Sequence, residues 1–173
     1  KILCPQITIL ESNTKTYLYF HEQLKKVLYS FSPFINIMSV DEAAITLSPS
    51  EQQSHIAKKI ALSLKEKIKD KLGKNLRSSI GIGPNVYLAK QASEFKKPDG
   101  LTEIKLENLA NYYRTISLRD LKGINFRMES RLKSHQFYRP IDLYLSSSEN
   151  LHKRLGIIGE YWYFNLHGYD LFS

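Results

Sequence analysis

Residues 37–45 read IMSVDEAAI, which places Asp41 and Glu42 side by side in a run of otherwise apolar and small residues. Removing an ionised carboxylate from water is costly unless something pairs with it, so two adjacent acids in a strand-like run need a reason. At a strand end facing a cleft, divalent cations supply one, because they take oxygen ligands and neutralise the local charge. Two Mg²⁺ ions held this way activate an attacking oxygen and stabilise a leaving one in phosphoryl transfer. Neighbouring side chains on a regular strand point to opposite faces, so Asp41 and Glu42 reach one metal centre only across a turn or bulge. An exposed hairpin tip, where Asp and Glu are ordinary residues, accounts for the same pair without chemistry.

A second candidate lies at 118–132, LRDLKGINFRMESRL, laid out as helix, tight glycine turn, helix. Backbone N–H groups exposed at such a helix start hold a phosphate oxygen without reading base sequence, although plain packing gives the same pattern. Other constellations fail. His21, His55, His135, His152 and His167 have no metal-ligand spacing with one another or with Cys4, which argues against a zinc site. GIGPN at 81–85 lacks the Gly-Lys-Ser/Thr ending of a P-loop, and the aromatic YWYF at 161–164 reads as core rather than as a base-stacking platform.

The elements that must position these residues follow from hydrophobic period and breakers. Residues 7–10, ITIL, read as a short strand closed by ESNT. Tyr17, Phe20, Leu24, Val27, Leu28 and Phe31 then recur at helical spacing until the Ser-Pro pair at 32–33. INIMSV and AAITLS form two β-like runs around Asp41 and Glu42, a hairpin or bulged pair. Apolar residues at 56, 60, 64, 68 and 72 mark an amphipathic helix over 51–72, with lysines 58, 59, 65, 67, 69 and 71 assigned to its opposite face. RSSIGIG reads as a strand, NVYLAKQASEF as a helix opened by Pro84, and LTEI as a strand after the PDG turn. This order predicts an α+β sheet with helices on one face, followed from about residue 106 by short helices only.

The 173 residues suffice for one ordinary domain or two small ones. The net charge is +8, and it is uneven: residues 1–50 carry four basic and four acidic side chains, residues 51–100 eleven and five. That middle block suits a polyanion such as nucleic acid, while a solvated helix face would look alike. No run approaches the length of a membrane span, no charged-then-apolar leader is evident, and one cysteine leaves no internal disulfide framework.

Taken together, SVDEAA at 39–44 and SIGIGPNVYLAKQASEFKKPDGLTEI at 79–104 resemble the Y-family (translesion) DNA polymerases. The first is similar to the Ser-hydrophobic-Asp-Glu-Ala palm motif, the second to the glycine-containing strand, Leu-Ala-Lys helix and Lys-Pro-(Asp/Asn)-Gly turn. LRDLKGI and the closing LHGYD extend the resemblance over essentially the whole chain.

The resemblance implies a partial polymerase palm over 1–106, with an antiparallel or mixed sheet, and a small all-helical thumb with a helix-hairpin-helix over 107–173. It implies that Asp41 and Glu42 are catalytic metal ligands for two Mg²⁺ ions, working with one further Asp. Lys97 would contact the incoming triphosphate, with Lys90 in support. Lys122, Gly123, Asn125, Arg127 and Arg131 would follow the DNA backbone. Where the family has Gly-Ile-Gly at that turn, this chain has Gly123, Ile124 and Asn125, and Asn tolerates the left-handed conformation better than other non-glycine residues.

The family's first Asp-bearing strand, its fingers and its further DNA-gripping domain have no counterpart in these 173 residues. The expectation is therefore a piece of a longer protein, inactive alone, whose parent copies primer-template DNA from deoxynucleoside triphosphates at low fidelity. A sliding clamp is an expected partner through regions outside this chain, and no membrane is. The expected location is the bacterial cytoplasm at the nucleoid, or the nucleus in a eukaryote. The competing reading is a catalytically inert relative that uses the fold as a DNA-binding or interaction module.

Overall fold

The structure, a computed structural model, describes residues 3–8 and 10–170. Residues 7, 8 and 10 of the predicted first strand are irregular, and residue 9 lies outside the described residues. A β-branched run forms a strand only when a ladder satisfies its backbone, and no described segment pairs with this one.

Helix α1 (Thr14–Tyr29) begins at Asn13, whose side chain accepts a hydrogen bond from the Thr16 amide at 3.2 Å. It ends three residues before the Ser32-Pro33 pair, as the breaker requires. Strands β1 (Ile35–Ile37) and β2 (Ala43–Ile45) form the expected antiparallel hairpin, with Ile35 opposite Ile45 and Ile37 opposite Ala43. Helix α2 (Ser54–Leu72) follows. Ala57, Ala61, Leu64 and Ile68 make its buried stripe, and Lys65 is buried with them, only 7% exposed. That corrects the assignment of Lys65 to the solvated face. At four residues beyond Ala61 and three before Ile68, it falls on the same stripe.

Strand β3 (Ile80–Ile82), helix α3 (Val86–Glu94) and strand β4 (Leu101–Glu103) form a βαβ unit whose strands pair in parallel, Ile80 opposite Leu101 and Ile82 opposite Glu103. A Cβ on Gly81 would fall on the Ala89 carbonyl oxygen and the Ser93 amide, and one on Gly83 on the Ala89 amide. The glycines of GIGPN therefore let β3 lie directly against α3. Asn85, not Pro84, opens α3. Its Oδ1 accepts from the Leu88 amide at 2.8 Å while its Nδ2 donates to the Asn165 and Tyr169 carbonyls, both at 3.0 Å.

The remaining elements are helical: α4 (Leu109–Thr115), α5 (Phe126–Ser134), α6 (Pro140–Tyr144), α7 (Ser148–Leu155) and α8 (Ile157–His167), with single 3₁₀ turns at Leu106–Asn108 and Leu118–Asp120. The α+β class is as expected, but the single sheet is not. Among the described residues β1–β2 and β3–β4 are separate two-stranded ladders, because no described strand bonds to both pairs.

Two compact units result, one comprising Lys1–Gln52 and Ser63–Leu76, the other Gln53–Leu62 and Arg77–Ser173. The first buries Val27 and Leu28 of α1 and Leu64 and Ile68 of α2. In the second, Leu88, Ala92 and Ile104 share one cluster with Leu109, Tyr113, Leu118, Leu121, Leu132 and Leu151, so its core runs continuously past residue 106. Trp162 and Tyr163 of YWYF pack against that cluster, as predicted for core.

Candidate functional site

The loop between β1 and β2 carries the paired acids, and Ser39 shapes it. Its Oγ donates to Asp41 Oδ1 at 2.8 Å and accepts from the Glu42 amide at 3.1 Å. The Met38 and Ser39 amides both donate to the Glu42 carbonyl, at 2.9 and 3.1 Å, closing the tip. His21 of α1 places Nδ1 at 2.9 Å from the Val40 carbonyl. A carbonyl only accepts, so Nδ1 carries the proton, and the residue immediately before Asp41 is tied to the helix. Asp41 is exposed and Glu42 half-buried. The turn that both carboxylates need in order to share a centre is thus present.

Both acids are hard oxygen donors, which fits Mg²⁺. Asp41 keeps its oxygens at the surface, and the Ser39 hydroxyl occupies one of them. Among the described residues no group of three or more His, Cys, Asp or Glu side chains gathers in a metal-binding arrangement.

In the second unit, Lys90 and Lys97 meet on one carboxylate. Glu94, the last residue of α3, lies 2.6 Å from Lys90 Nζ through Oε1 and 2.7 Å from Lys97 Nζ through Oε2. The hydrogen bonds from Lys90 and then Lys97 hold the Glu94 carboxyl below the usual carboxylate range. Lys90 is mostly buried at 16% side-chain exposure, whereas Lys97 is open at 53%. The Lys97-Pro98 peptide bond is cis, and Asp99 follows at φ 70°.

Of the predicted helix, glycine turn and helix, the first helix is only a single 3₁₀ turn at Leu118–Asp120, followed by Gly123 and α5, because the Leu121 cap residue is already extended. Gly123 supplies the left-handed position at φ 93°, with open space where a Cβ would stand. Asn125 differs from the expectation. It is extended at φ −90° and ψ 179°, and its Oδ1 caps α5 by accepting from the Met128 amide at 3.0 Å. A polar side chain that closes the first turn of a helix needs no left-handed backbone. Lys122, Gly123, Asn125, Arg127 and Arg131 are all exposed. Arg131 Nη2 turns toward the Leu155 carbonyl at 3.3 Å, and Lys133 pairs with Glu129 at 2.8 Å.

The turn is held from below by α3. Buried Gln91 accepts from the Lys122 amide at 2.9 Å and donates to the Asp120 carbonyl, and the Tyr87 hydroxyl donates to the Lys122 carbonyl at 3.1 Å. Burial pushes the Tyr87 phenol far above its ordinary value, so it remains a donor.

The model of the impB/mucB/samB family matches residues 1–94, a span that includes the Asp41–Glu42 loop, Lys90 and Glu94. The chain belongs to the impB/mucB/samB family. This is the Y-family membership that the motifs implied. Within the impB/mucB/samB family it is 30% identical over 168 residues to the DNA polymerase IV of Pelotomaculum thermopropionicum, covering 97% of this chain and 41% of that protein. It is 28% identical over 171 residues to the DNA polymerase IV of Bacteroides fragilis, covering 99% and 46%. The chain thus spans less than half the length of these relatives. Its fold matches the crystal structure of DinB from Sulfolobus solfataricus at a TM-score of 0.79 and 20% identity, over 96% of this chain and 48% of that one. An insertion ternary complex of Dbh DNA polymerase matches at 0.81 and 20%, over 95% and 48%.

Several contributors escaped sequence reasoning. Ser39, two residues before Asp41, carries a local signal, since serine hydroxyls bond their own backbone in turns. Glu94 was legible as i+4 from Lys90 and i−3 from Lys97. Gln91 and His21 gave no signal, because their partners lie 31 and 19 residues away in the chain.

Proposed function

We propose that this chain is part of the catalytic core of a low-fidelity translesion DNA polymerase, with a partial palm over 1–106 and a thumb over 107–173. The exposed Asp41 on its Ser39-braced hairpin tip, in a chain of the impB/mucB/samB family, is the observation that carries the reading. In the parent protein the primer 3′-hydroxyl attacks the α-phosphate of a deoxynucleoside triphosphate and pyrophosphate leaves. Asp41 and Glu42 would hold Mg²⁺, with a carboxylate from outside this chain. Bound there, the cations would supply activation of the hydroxyl and most of the charge stabilisation in the transition state.

The chain's own residues bind and orient. The turn at Ser39 aims the carboxylates, and the His21 contact with Val40 keeps that turn against α1. Lys97 offers the triphosphate an exposed point charge and Lys90 supports it from the helix. Lys122, Gly123, Asn125, Arg127 and Arg131 lie along the DNA backbone, with the α3 anchor fixing the turn. A sliding clamp would bind the parent through regions outside this chain, at the nucleoid if the source is bacterial and in the nucleus if it is eukaryotic.

The test is primer extension by the full-length parent with Mg²⁺ and all four deoxynucleoside triphosphates. Extension that disappears in Asp41→Ala supports the reading. A parent that binds primer-template but never extends it is the inert module instead. This chain alone should show no extension, since it brings only two of the three expected carboxylates.

A further inference from the structure

We propose that Glu94 is the counter-anion of the candidate triphosphate site, a resident competitor that an incoming phosphate must displace from Lys97; this rests on the reading of Lys90 and Lys97 as triphosphate ligands. The two carboxylate oxygens divide between the two ammonium groups, Oε1 to Lys90 at 2.6 Å and Oε2 to Lys97 at 2.7 Å. Two oxygens of one anion bridging two lysines is what a phosphate group would do there.

Helix stability does not explain the acid. Glu94 is the last residue of α3, where the macrodipole disfavours negative charge, and a lysine four residues before a glutamate is the weaker order for a helical pair. The exposures point to the moving part. Lys90 is 16% exposed and fixed within the helix, so Lys90–Glu94 is the standing contact. Lys97 is 53% exposed and lies beyond the helix end, so Lys97–Glu94 is the contact a polyphosphate can reach and break. A phosphate arriving at Lys97 also meets a like charge in Glu94 until the carboxylate turns away. The acid therefore lowers phosphate affinity and favours ligands with enough negative charge to compete, such as a triphosphate over a monophosphate.

The experiment titrates inorganic tripolyphosphate into the full-length parent by calorimetry at low ionic strength, for the natural sequence, Glu94→Gln, Glu94→Asp and Lys97→Gln. Removal of one exposed pair and one like charge should tighten binding in Glu94→Gln by about three- to tenfold. Glu94→Asp keeps the charge and should stay within about twofold of the natural chain, while Lys97→Gln weakens binding by about three- to tenfold. Glu94→Ala carries the same expectation as Glu94→Gln and replaces it if the glutamine variant does not fold. Unchanged or weaker binding in Glu94→Gln and Glu94→Ala, with Lys97→Gln weakened, overturns the counter-anion and leaves the lysine reading standing. No binding by the natural chain, or none of it sensitive to Lys97, overturns both.

Discussion

The buried amide of Gln91 on α3 accepts a hydrogen bond from the backbone amide of Lys122 at 2.9 Å, across 31 residues of chain. Its other end donates to the Asp120 carbonyl, so one side chain fixes both sides of the turn that presents Gly123. The helix that carries Lys90 and Glu94 thereby also sets the hairpin proposed to follow DNA.

Gln91→Met keeps the volume and removes both hydrogen bonds. Leaving the turn's backbone groups without that partner should cost about 2 kcal/mol of unfolding free energy, read as a lower urea midpoint. Hydrogen exchange at the Lys122 amide should quicken at the same time. Unchanged protection there would show that the Gln91 contact does not hold the turn.

Gly81→Ala tests the approach of β3 to α3. The added methyl would fall on the Ala89 carbonyl and the Ser93 amide, both backbone atoms that cannot rotate aside. Overpacking at such a contact should cost about 1–3 kcal/mol, measured by chemical denaturation. Gly81 has no left-handed backbone to explain a loss, so the clash is the cause if one is seen.

At the acidic loop, activity and stability should separate. Asp41 is exposed, so Asp41→Ala should leave the unfolding free energy within about 0.5 kcal/mol. In the full-length parent, single-nucleotide primer extension should fall by about 10²-fold or more. Ser39→Ala removes the hydroxyl that braces Asp41 and the Glu42 amide, and extension should fall by about tenfold from misplaced ligands. Full activity in Asp41→Ala would remove the acid from the mechanism.

The pH dependence of stability should pass through Glu103, which accepts from Ser54 Oγ at 2.7 Å and pairs with Lys58 at 2.8 Å, joining α2 to β4. Burial is the largest single influence and pushes its carboxyl up. The hydrogen bonds from Lys58 and Ser54 and the charges of Lys58 and Lys105 together prevail and hold it below its ordinary 4.5. A carboxyl lowered in the folded state stabilises fully above its unfolded value and loses that contribution as pH falls through the folded one. Near neutral pH, Glu103→Gln should lower the thermal midpoint by about 2–4 °C. The gap between variant and natural chain should close well below pH 4.5. A gap that persists in acid would mean that Glu103 acts through packing rather than charge.

What the sequence determined by itself was local or short in range. Apolar spacing placed α1, α2 and α3, the runs on either side of Asp41 and Glu42 placed the β1–β2 hairpin, and SVDEAA with the Leu-Ala-Lys and Lys-Pro-Asp-Gly segments identified the family. These patterns sit in neighbouring residues, so period and turn chemistry suffice to read them. Lys65 defeated the charge pattern because a lysine at an apolar stripe position follows its helix face rather than its type. Residues 7–10 had strand composition, but among the described residues they have no partner strand. Only the tertiary structure decided that Gly81 and Gly83 serve close packing, that Asn125 caps α5, and that Gln91 and Tyr87 hold the Lys122 turn. Each of these depends on atoms brought together by folding. Hydrogen bonds and van der Waals contacts act over a few ångströms of space, and sequence distance says little about which groups will come that close.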